Sequence, residues 1–170
     1  MLNVKEKSAV NNLSSLYNTD YYTWAMTNAE LLKEGKLDEI DYINLAEEVK
    51  DLGNSEYYRL VSFLANLLSH IYKWDNQPEL RTKSWKITII NSISDIVLTL
   101  KRNPGLKYKQ VFNEAFAEGW KKARNIIYAD TDIDFSLIPE ESPYVFKEAI
   151  KKVSEITEIS NKDIFFLNNL

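Results

Sequence analysis

The chain contains no cysteine, only one histidine, and only 4 glycines and 4 prolines among its 170 residues. The lack of cysteine excludes disulfides, thiolate metal sites and a cysteine nucleophile. The scarcity of glycine and proline leaves few positions for the tight turns of an all-β protein. These absences favour a helical protein of the cytoplasm.

Long apolar runs are also missing. The first 18 residues lack the apolar stretch of a secretory signal peptide. No segment reaches the ~18 consecutive apolar residues that a membrane span requires. We therefore expect a soluble cytoplasmic protein that makes no contact with a membrane.

Apolar side chains are nevertheless plentiful, at 45% of the residues, and 12% of the residues are aromatic. This content can offset an ordering cost of ~1–2 kcal/mol per backbone residue. The length suits one hydrophobic core. We expect a polar lead-in at residues 1–18, a single helical domain at residues 19–154, and a docked C-terminal tail at residues 155–170.

Helical periodicity is strongest on the two sides of the sequence DNQP. Apolar residues recur every three or four positions from Ser55 to Trp74, and again from about residue 83 to residue 102. Pro78 disfavours helix in the residue before it, so the chain turns there. The pattern predicts an all-α bundle of five or six helices, with residues 55–74 and 83–102 as a central antiparallel pair.

Capping residues predict the helix boundaries in the first third of the chain. Asp20 and Asp41 suit N-caps, and Gly35 and Gly53 suit C-terminal ends. We expect a helix from Tyr21 to Glu34, a second helix that begins after Asp41 and ends at Gly53, and a third that Ser55 caps. The second helix is expected to turn one face to the core, formed by Tyr42, Leu45, Ala46, Val49 and Leu52.

Three further signals follow in the second half of the domain. The run Asn103-Pro104-Gly105 is expected to end the fourth helix. Gly119 lies inside the fifth helix and predicts a close approach to a neighbouring helix, because glycine costs ~1 kcal/mol there against alanine. Ser142 and Pro143 are expected to be the N-cap and first residue of the sixth helix.

The C-terminal tail carries the elements of one short helix. Ser160 or Asn161 can cap it, Ile164, Phe165 and Leu167 give it an apolar side, and Phe166 is left on the other. So short a helix needs a packing partner. The tail can dock on its own bundle or on a second copy of the chain, and the aromatic residues on opposite sides favour a homodimer.

Charge is distributed unevenly along the chain. The formal charge is −7 over residues 20–56, +7 over residues 59–124 and −5 over residues 125–170. A basic middle is typical of a surface that binds a polyanion. The interpretation that we favour is that acidic and basic helices pack together in one monomer, and the sequence pI of 5.2 also argues against nucleic acid.

A metal site would have to use the single histidine. His70 with Glu47 or Glu48 is the only combination to consider, because no Glu-x-x-His motif of the helical di-metal type occurs. A lone histidine on the flank of a helix is more often a hydrogen-bonded structural residue. We therefore predict no metal and no cofactor.

Motifs of enzymes are missing as well. Ser69 and His70 are neighbours on a helix and point about 100° apart, so they do not face each other. The chain has no Gly-x-Ser-x-Gly turn, no glycine-rich phosphate loop and no dinucleotide fingerprint. No catalytic residue is predicted, and the sequence gives no support for an enzyme.

The turn between the two central helices combines cations with indole rings. Two interpretations are open: bases stacked on tryptophan with phosphates on the cations, or two indoles that clamp the turn as part of the core. We also expect an ion pair between Glu48 and the cations of the turn. The predicted cluster comprises Lys73, Trp74, Gln77, Arg81, Lys83 and Trp85, with Glu48 as the acidic partner.

Several short segments along the chain together match a known pattern. They are Asp20-Tyr21-Tyr22-Thr23-Trp24, Leu45-Ala46-Glu47-Glu48-Val49 with Leu52-Gly53, His70 with Lys73-Trp74, Gln77-Pro78, Ser84-Trp85, Pro139 and Ser142-Pro143-Tyr144. On these segments the chain resembles, over residues 19–148, the family catalogued as domain of unknown function 29. The resemblance implies a small helical protein without an assigned activity.

Two classes of function remain open at this point. The first is a non-enzymatic module that binds an unidentified protein partner or a second copy of itself, supported by the lack of catalytic motifs. The second is an accessory protein associated with nucleic acid, which would use the basic residues 59–124.

Overall fold

The computed structural model describes residues 13–158 and 162–168, and over these residues it contains helices and no strand. This confirms the all-α prediction. The chain divides into two compact units, Met1–Asn54 and Ser55–Leu170. Residues 13–19 belong to α1, and the further helices are α2 (Tyr21–Lys33), α3 (Tyr42–Asn76), α4 (Lys83–Arg102), α5 (Lys109–Asp130), α6 (Phe146–Thr157) and α7 (Lys162–Leu167).

The ends of α2 follow the capping residues of the sequence. The Asp20 side chain accepts a hydrogen bond from the backbone N–H of Thr23 at 3.1 Å. Beyond the last turn, Gly35 has a φ of 72°, which glycine adopts without strain, and the Lys36 N–H bonds back to the carbonyl of Leu31. The predicted helix at Tyr21 is therefore confirmed, with Glu34 as its C-cap.

The prediction of two separate helices around Gly53 is wrong. Helix α3 continues from Tyr42 to Asn76, so Gly53 does not end a helix and Ser55 does not begin one. Gly53 has no positive φ, and the space around its Cα is open. A single glycine costs a helix only ~1 kcal/mol, which is too little to break a run of good helix formers.

The central antiparallel pair is confirmed within the second unit. Near the start of α4, the ammonium of Lys86 lies 5.6 Å from the ring centroid of Trp74, close to the end of α3. Past the other end of α4, the side-chain amide of Asn103 donates to a carboxylate oxygen of Glu56 at 2.9 Å. Residues 55–76 of α3 and helix α4 therefore run in opposite directions.

The core of the second unit collects apolar side chains from α3 to α7. A β-carbon added at Gly119 would lie 2.8 Å from the Cβ of Leu64, so α5 approaches α3 most closely there, as the sequence predicts. The largest fully buried side chains of this core are Leu60, Leu64, Leu67, Leu68, Ile71, Ile89, Ile96, Leu100, Trp120, Ile127 and Ile138.

Helix α6 begins later than predicted. Its first residue is Phe146, with Val145 at the N-cap position, rather than Pro143 after Ser142. The Ser142 hydroxyl accepts from the Tyr144 N–H at 3.2 Å and donates to the Tyr144 carbonyl at 2.8 Å. This local turn occupies the side chain that was expected to cap the helix.

Helix α7 packs on its own chain through Ile164 and Leu167, which are buried in the core of the second unit. The roles predicted for the two phenylalanines are reversed. Phe166 is half-buried against that core and Phe165 is 75% exposed, because a spacing of three residues places Ile164 and Leu167 together on one side and turns Phe165 outward. Ser160 and Asn161, the predicted caps, lie outside the described residues.

Two glycine-to-alanine substitutions test these packing statements. We expect Gly119→Ala to lower the free energy of unfolding by ~1–2 kcal/mol, because the clash with Leu64 outweighs the gain in helix propensity. Gly53→Ala is the matched control, and it should raise the free energy of unfolding by ~0.5–1 kcal/mol. Urea unfolding followed by circular dichroism measures both, and equal effects at the two sites would contradict the close approach.

Candidate functional site

The turn between α3 and α4 carries most of the residues that the sequence singles out. The Arg81 guanidinium lies 5.0 Å from the ring centroid of Trp74, and its Nε donates to the Trp74 carbonyl at 2.9 Å. Lys86 also lies near this ring. The Trp74 indole therefore already has two cations of the same chain as neighbours.

Both indoles of this turn are half-buried rather than fully enclosed. Trp74 packs against the core of the second unit, and the ammonium of Lys73 lies 5.4 Å from the ring centroid of Trp85. One of the two sequence interpretations placed both rings in the core. Because part of each ring stays in water, Trp85→Ala should cost less than the ~3–5 kcal/mol of a fully buried tryptophan.

Lys73 is the least accessible charge of the turn, with 2% of its surface exposed. Its ammonium lies 2.7 Å from a carboxylate oxygen of Asp130 at the end of α5, and Asp130 is half-exposed. An amine buried this deeply needs a partner to offset its lost hydration. Lys73 is therefore a structural cation and not a free contact for phosphate.

The remaining predicted residues lie at different positions in the structure. Gln77 is half-buried and precedes the short 3₁₀ helix Pro78–Leu80, and its Oε1 has no hydrogen-bond partner among the described residues. Lys83 is exposed at the start of α4. Glu47 and Glu48 belong to the first unit, where Glu47 pairs with Lys50 at 3.2 Å.

A polar cleft of about 410 Å³ lies beside this turn, between residues of α3, α4 and α6. Asp75 on its wall accepts hydrogen bonds from the Tyr144 hydroxyl at 2.9 Å and from the Lys152 ammonium at 2.8 Å. Burial, followed by the hydrogen bond to Asp75, raises the pKa of Tyr144 far above its usual value. The lining includes the cations Arg81, Lys86 and Lys152 and the anions Asp75, Glu155 and Glu158, so its formal charges balance.

His70 has a structural role within α3, because its ring is hydrogen-bonded to the backbone of the same helix. Its Nδ1 lies 2.8 Å from the carbonyl of Asn66 and 3.2 Å from the Ser69 hydroxyl, so the Nδ1–H donates to that carbonyl. Burial, and then the charge of Lys73, holds the pKa of His70 below its usual value. The ring is therefore neutral at pH 7.

In the first unit, Glu48 is held by two tyrosine hydroxyls. Tyr17 and Tyr21 each donate to one of its carboxylate oxygens at 2.7 Å. The bonds from Tyr21 and Tyr17 lower the pKa of Glu48, and the same contact raises the pKa of Tyr17 to about 12. The predicted ion pair between Glu48 and the cations of the turn stays a prediction.

A second polar cluster of the first unit surrounds Trp24. The buried indole N–H donates to the Asp41 carboxylate at 3.0 Å, and Asn44 donates to the same oxygen at 2.7 Å. Asn28 accepts from the Asp41 N–H at 2.9 Å. Burial opposes the ionisation of Asp41, but the bonds from Asn44 and Trp24 outweigh it and keep its pKa below the usual value.

The face of α3 that was predicted to be a core face in the first unit is exposed. Tyr42, Val49 and Leu52 have 67%, 61% and 71% of their surfaces exposed, Ala46 is exposed, and Leu45 is half-buried. The prediction of a buried face is wrong because α1 and α2 cover the side of the helix that carries Asp41 and Glu48 instead. We call Tyr42, Leu45, Val49 and Leu52 the α3 stripe.

A family model matches residues 16–153 of this chain, and its description is Domain of unknown function DUF29. The chain belongs to the DUF29 family. The match spans most of the sequence and confirms the resemblance seen in the residues around Trp24, Glu48, Trp74 and Trp85. Neither the curated proteins nor the solved structures contained a match.

Two findings bear on the chemistry of this DUF29 chain, within residues 13–158 and 162–168. No group of three or more histidine, aspartate and glutamate side chains is placed to hold a metal ion. No helix there has both the length and the apolar character to cross a membrane. The geometry of these residues offers the exposed apolar face of α3 and the polar cleft beside the turn.

Sequence reasoning missed three groups of polar contacts between distant segments. These are Lys73 with Asp130, Asp75 with both Tyr144 and Lys152, and Trp24 with Asp41. In the first two, the partners are 57 and 69 residues apart, so no local spacing reveals them. The N-cap character of Asp41 was visible, but its second role toward Trp24 had no signal in the sequence.

Substitution of Asp130 tests the role of Lys73. We expect Asp130→Asn to lower the free energy of unfolding by ~1–2 kcal/mol, because it leaves the buried ammonium of Lys73 without its counter-charge. The effect should not be larger, because Asp130 is half-exposed and water screens the pair. Asp132→Asn removes the same charge from an exposed neighbouring position and serves as the control. Equal stability of the two variants in urea unfolding would rule out a structural ion pair.

The pH dependence of stability tests His70. The folded state binds a proton on His70 less readily than the unfolded state, so stability should fall as the pH drops below ~6.5. His70 is the only histidine, so the difference between the wild type and His70→Asn isolates it. Melting temperatures between pH 7.5 and 5.5 should decline more steeply for the wild type, and parallel curves would refute the assignment.

Proposed function

We propose that this DUF29 chain is a non-enzymatic interaction module that self-associates through the α3 stripe. The observation that carries the proposal is one helix face with three exposed apolar side chains, Tyr42, Val49 and Leu52, and the half-buried Leu45 between them. Monomeric proteins rarely leave large contiguous apolar patches exposed. Its cytoplasmic location, which the lack of cysteine suggests, stays a prediction.

The spacing of the α3 stripe suits a second copy of itself. Residues 42, 45, 49 and 52 alternate by three, four and three positions, as the a and d positions of a coiled coil do. In an antiparallel pair centred near Glu47, Tyr42 meets Leu52 of the second copy and Leu45 meets Val49. Both halves of such a two-fold contact are the same surface, so the stripe is complementary to itself.

Neighbouring residues support a close approach of the two helices. Ala46 flanks the stripe with a small side chain. The charged side chains of Glu47 and Lys50 form an ion pair at 3.2 Å on another side of the helix. The seam covers only three helical turns, so the dimer should be weak and concentration-dependent.

The C-terminal tail is the less suitable surface for a homodimer. Its apolar residues Ile164 and Leu167 are already buried within the chain. The stripe in α3 has no such cover among the described residues of the first unit.

An accessory role with nucleic acid is the second candidate function. It is supported by the excess of cations in residues 59–124. Lys73, Arg81 and Lys86 of that segment have partners in the chain, which weakens the proposal for the turn itself. A gel-shift assay with generic DNA and RNA at two salt concentrations tests it, because phosphate contacts weaken steeply with salt.

Light scattering with a charge placed in the stripe tests self-association. The wild type should approach twice the chain mass of 19.8 kDa as its concentration rises, and Val49→Lys should remain a monomer because an ammonium cannot be buried in the seam. Asn54→Lys adds the same charge to the exposed end of this unit and should still dimerise.

Two outcomes would contradict the proposal. A wild type that stays at 19.8 kDa over the whole concentration range has no homodimer. A dimer that both lysine variants retain uses another surface. Circular dichroism of each variant confirms that the helices are intact.

A further inference from the structure

A second cleft of the second unit lies between the starts of α5 and α6. Its lining residues are distinct from those of the turn between α3 and α4. Its volume is about 440 Å³, within the range of ~300–1,000 Å³ typical of small-molecule sites. Phe112 and Phe146 form its apolar part, with Val145 beside them.

The apolar part of this cleft is aromatic. Phe112 is buried, and its ring meets the half-buried ring of Phe146 edge to face, with the centroids 4.7 Å apart. The ring of Phe116 makes a second edge-to-face contact with Phe146, with the centroids 5.9 Å apart. A flat ring of a ligand can stack on Phe146 without rearrangement of the core.

The rim of the cleft is cationic. Lys107, Lys109 and Lys147 line it, and no aspartate or glutamate does. In residues 13–158 and 162–168, none of the three forms an ion pair, and the ammonium of Lys107 lies 5.4 Å from the ring centroid of Phe166. In the polar cleft beside Trp74, by contrast, acidic residues face the cations.

The start of α5 adds to the positive potential. Its N-cap residue, Tyr108, makes no side-chain cap, so the N–H groups of the first turn are left for another acceptor. An anion near the first turn of a helix is favoured by these groups. The lysines and the helix start therefore act on the same region of the cleft.

We propose that this cleft binds a small ligand with a planar ring and a phosphate group, such as a nucleoside monophosphate. The ring would lie on Phe146, and the phosphate would contact Lys109 and Lys147. This site is separate from the α3 stripe and does not depend on self-association.

Isothermal titration calorimetry of the full chain tests the site with three probes. Adenosine 5′-monophosphate should bind more tightly than inorganic phosphate or adenosine alone, because only the nucleotide engages both parts of the cleft. The double variant Lys109→Gln/Lys147→Gln should weaken that binding at least about tenfold, since two charge-assisted contacts are lost. Lys83→Gln/Lys121→Gln removes two exposed lysines elsewhere and should change the affinity less than about twofold.

The aromatic part has its own test in Phe146→Leu, which should lower the affinity for the nucleotide and leave that for phosphate unchanged. Thermal unfolding of each variant establishes whether it is folded. If Phe146→Leu does not fold, the two double-lysine variants still test the site. Three results would overturn the proposal: no heat from the nucleotide at millimolar concentration, equal affinity for phosphate and nucleotide, or equal losses in both double-lysine variants. A single-stranded oligonucleotide that binds more tightly than the nucleotide and is equally weakened in both variants would also overturn it, in favour of diffuse charge.

Discussion

The packing of α5 against α3 at Gly119 is the constraint on which the second unit depends. No β-carbon fits between the two helices at this point, so their separation is fixed by backbone and by the Leu64 side chain. The buried side of α3, with Leu60, Leu64 and Leu68, then forms the centre on which α4 to α7 pack. A contact this close leaves little freedom for side-chain adjustment, because protein interiors are packed near crystal density.

Polar contacts hold the outer parts of this core in place. Asp130 neutralises the buried Lys73 at the end of α5, and Asp75 binds both Tyr144 and Lys152 ahead of and within α6. Each joins segments that are distant in the chain. The residues that looked most like a binding cluster in the sequence are thus largely engaged in structure, which is why the interaction surface is sought in the α3 stripe.

The helical periodicity, the caps at Asp20 and Gly35 and the antiparallel pair could be predicted, because each depends on residues close in the sequence. The close approach at Gly119 could be predicted because glycine is unfavourable inside a helix, but its partner Leu64 could not. The break at Gly53 was mispredicted, since glycine permits a helix end without requiring one. The face of α3 at Val49 and the order of Phe165 and Phe166 were mispredicted for a different reason. Periodicity shows that a face is apolar, but it does not show what covers it. The cleft at Phe146 could not be predicted, because its lysines come from segments about 40 residues apart.

Hydrogen exchange measured by mass spectrometry at low and high chain concentration tests, without any substitution, the proposal that the α3 stripe is an interface between two copies of the chain. We expect amides of residues 42–52 to exchange more slowly as the concentration rises, while exchange in α7 stays the same. Exchange in residues 42–52 that is independent of concentration, or protection that appears in α7 instead, would contradict it.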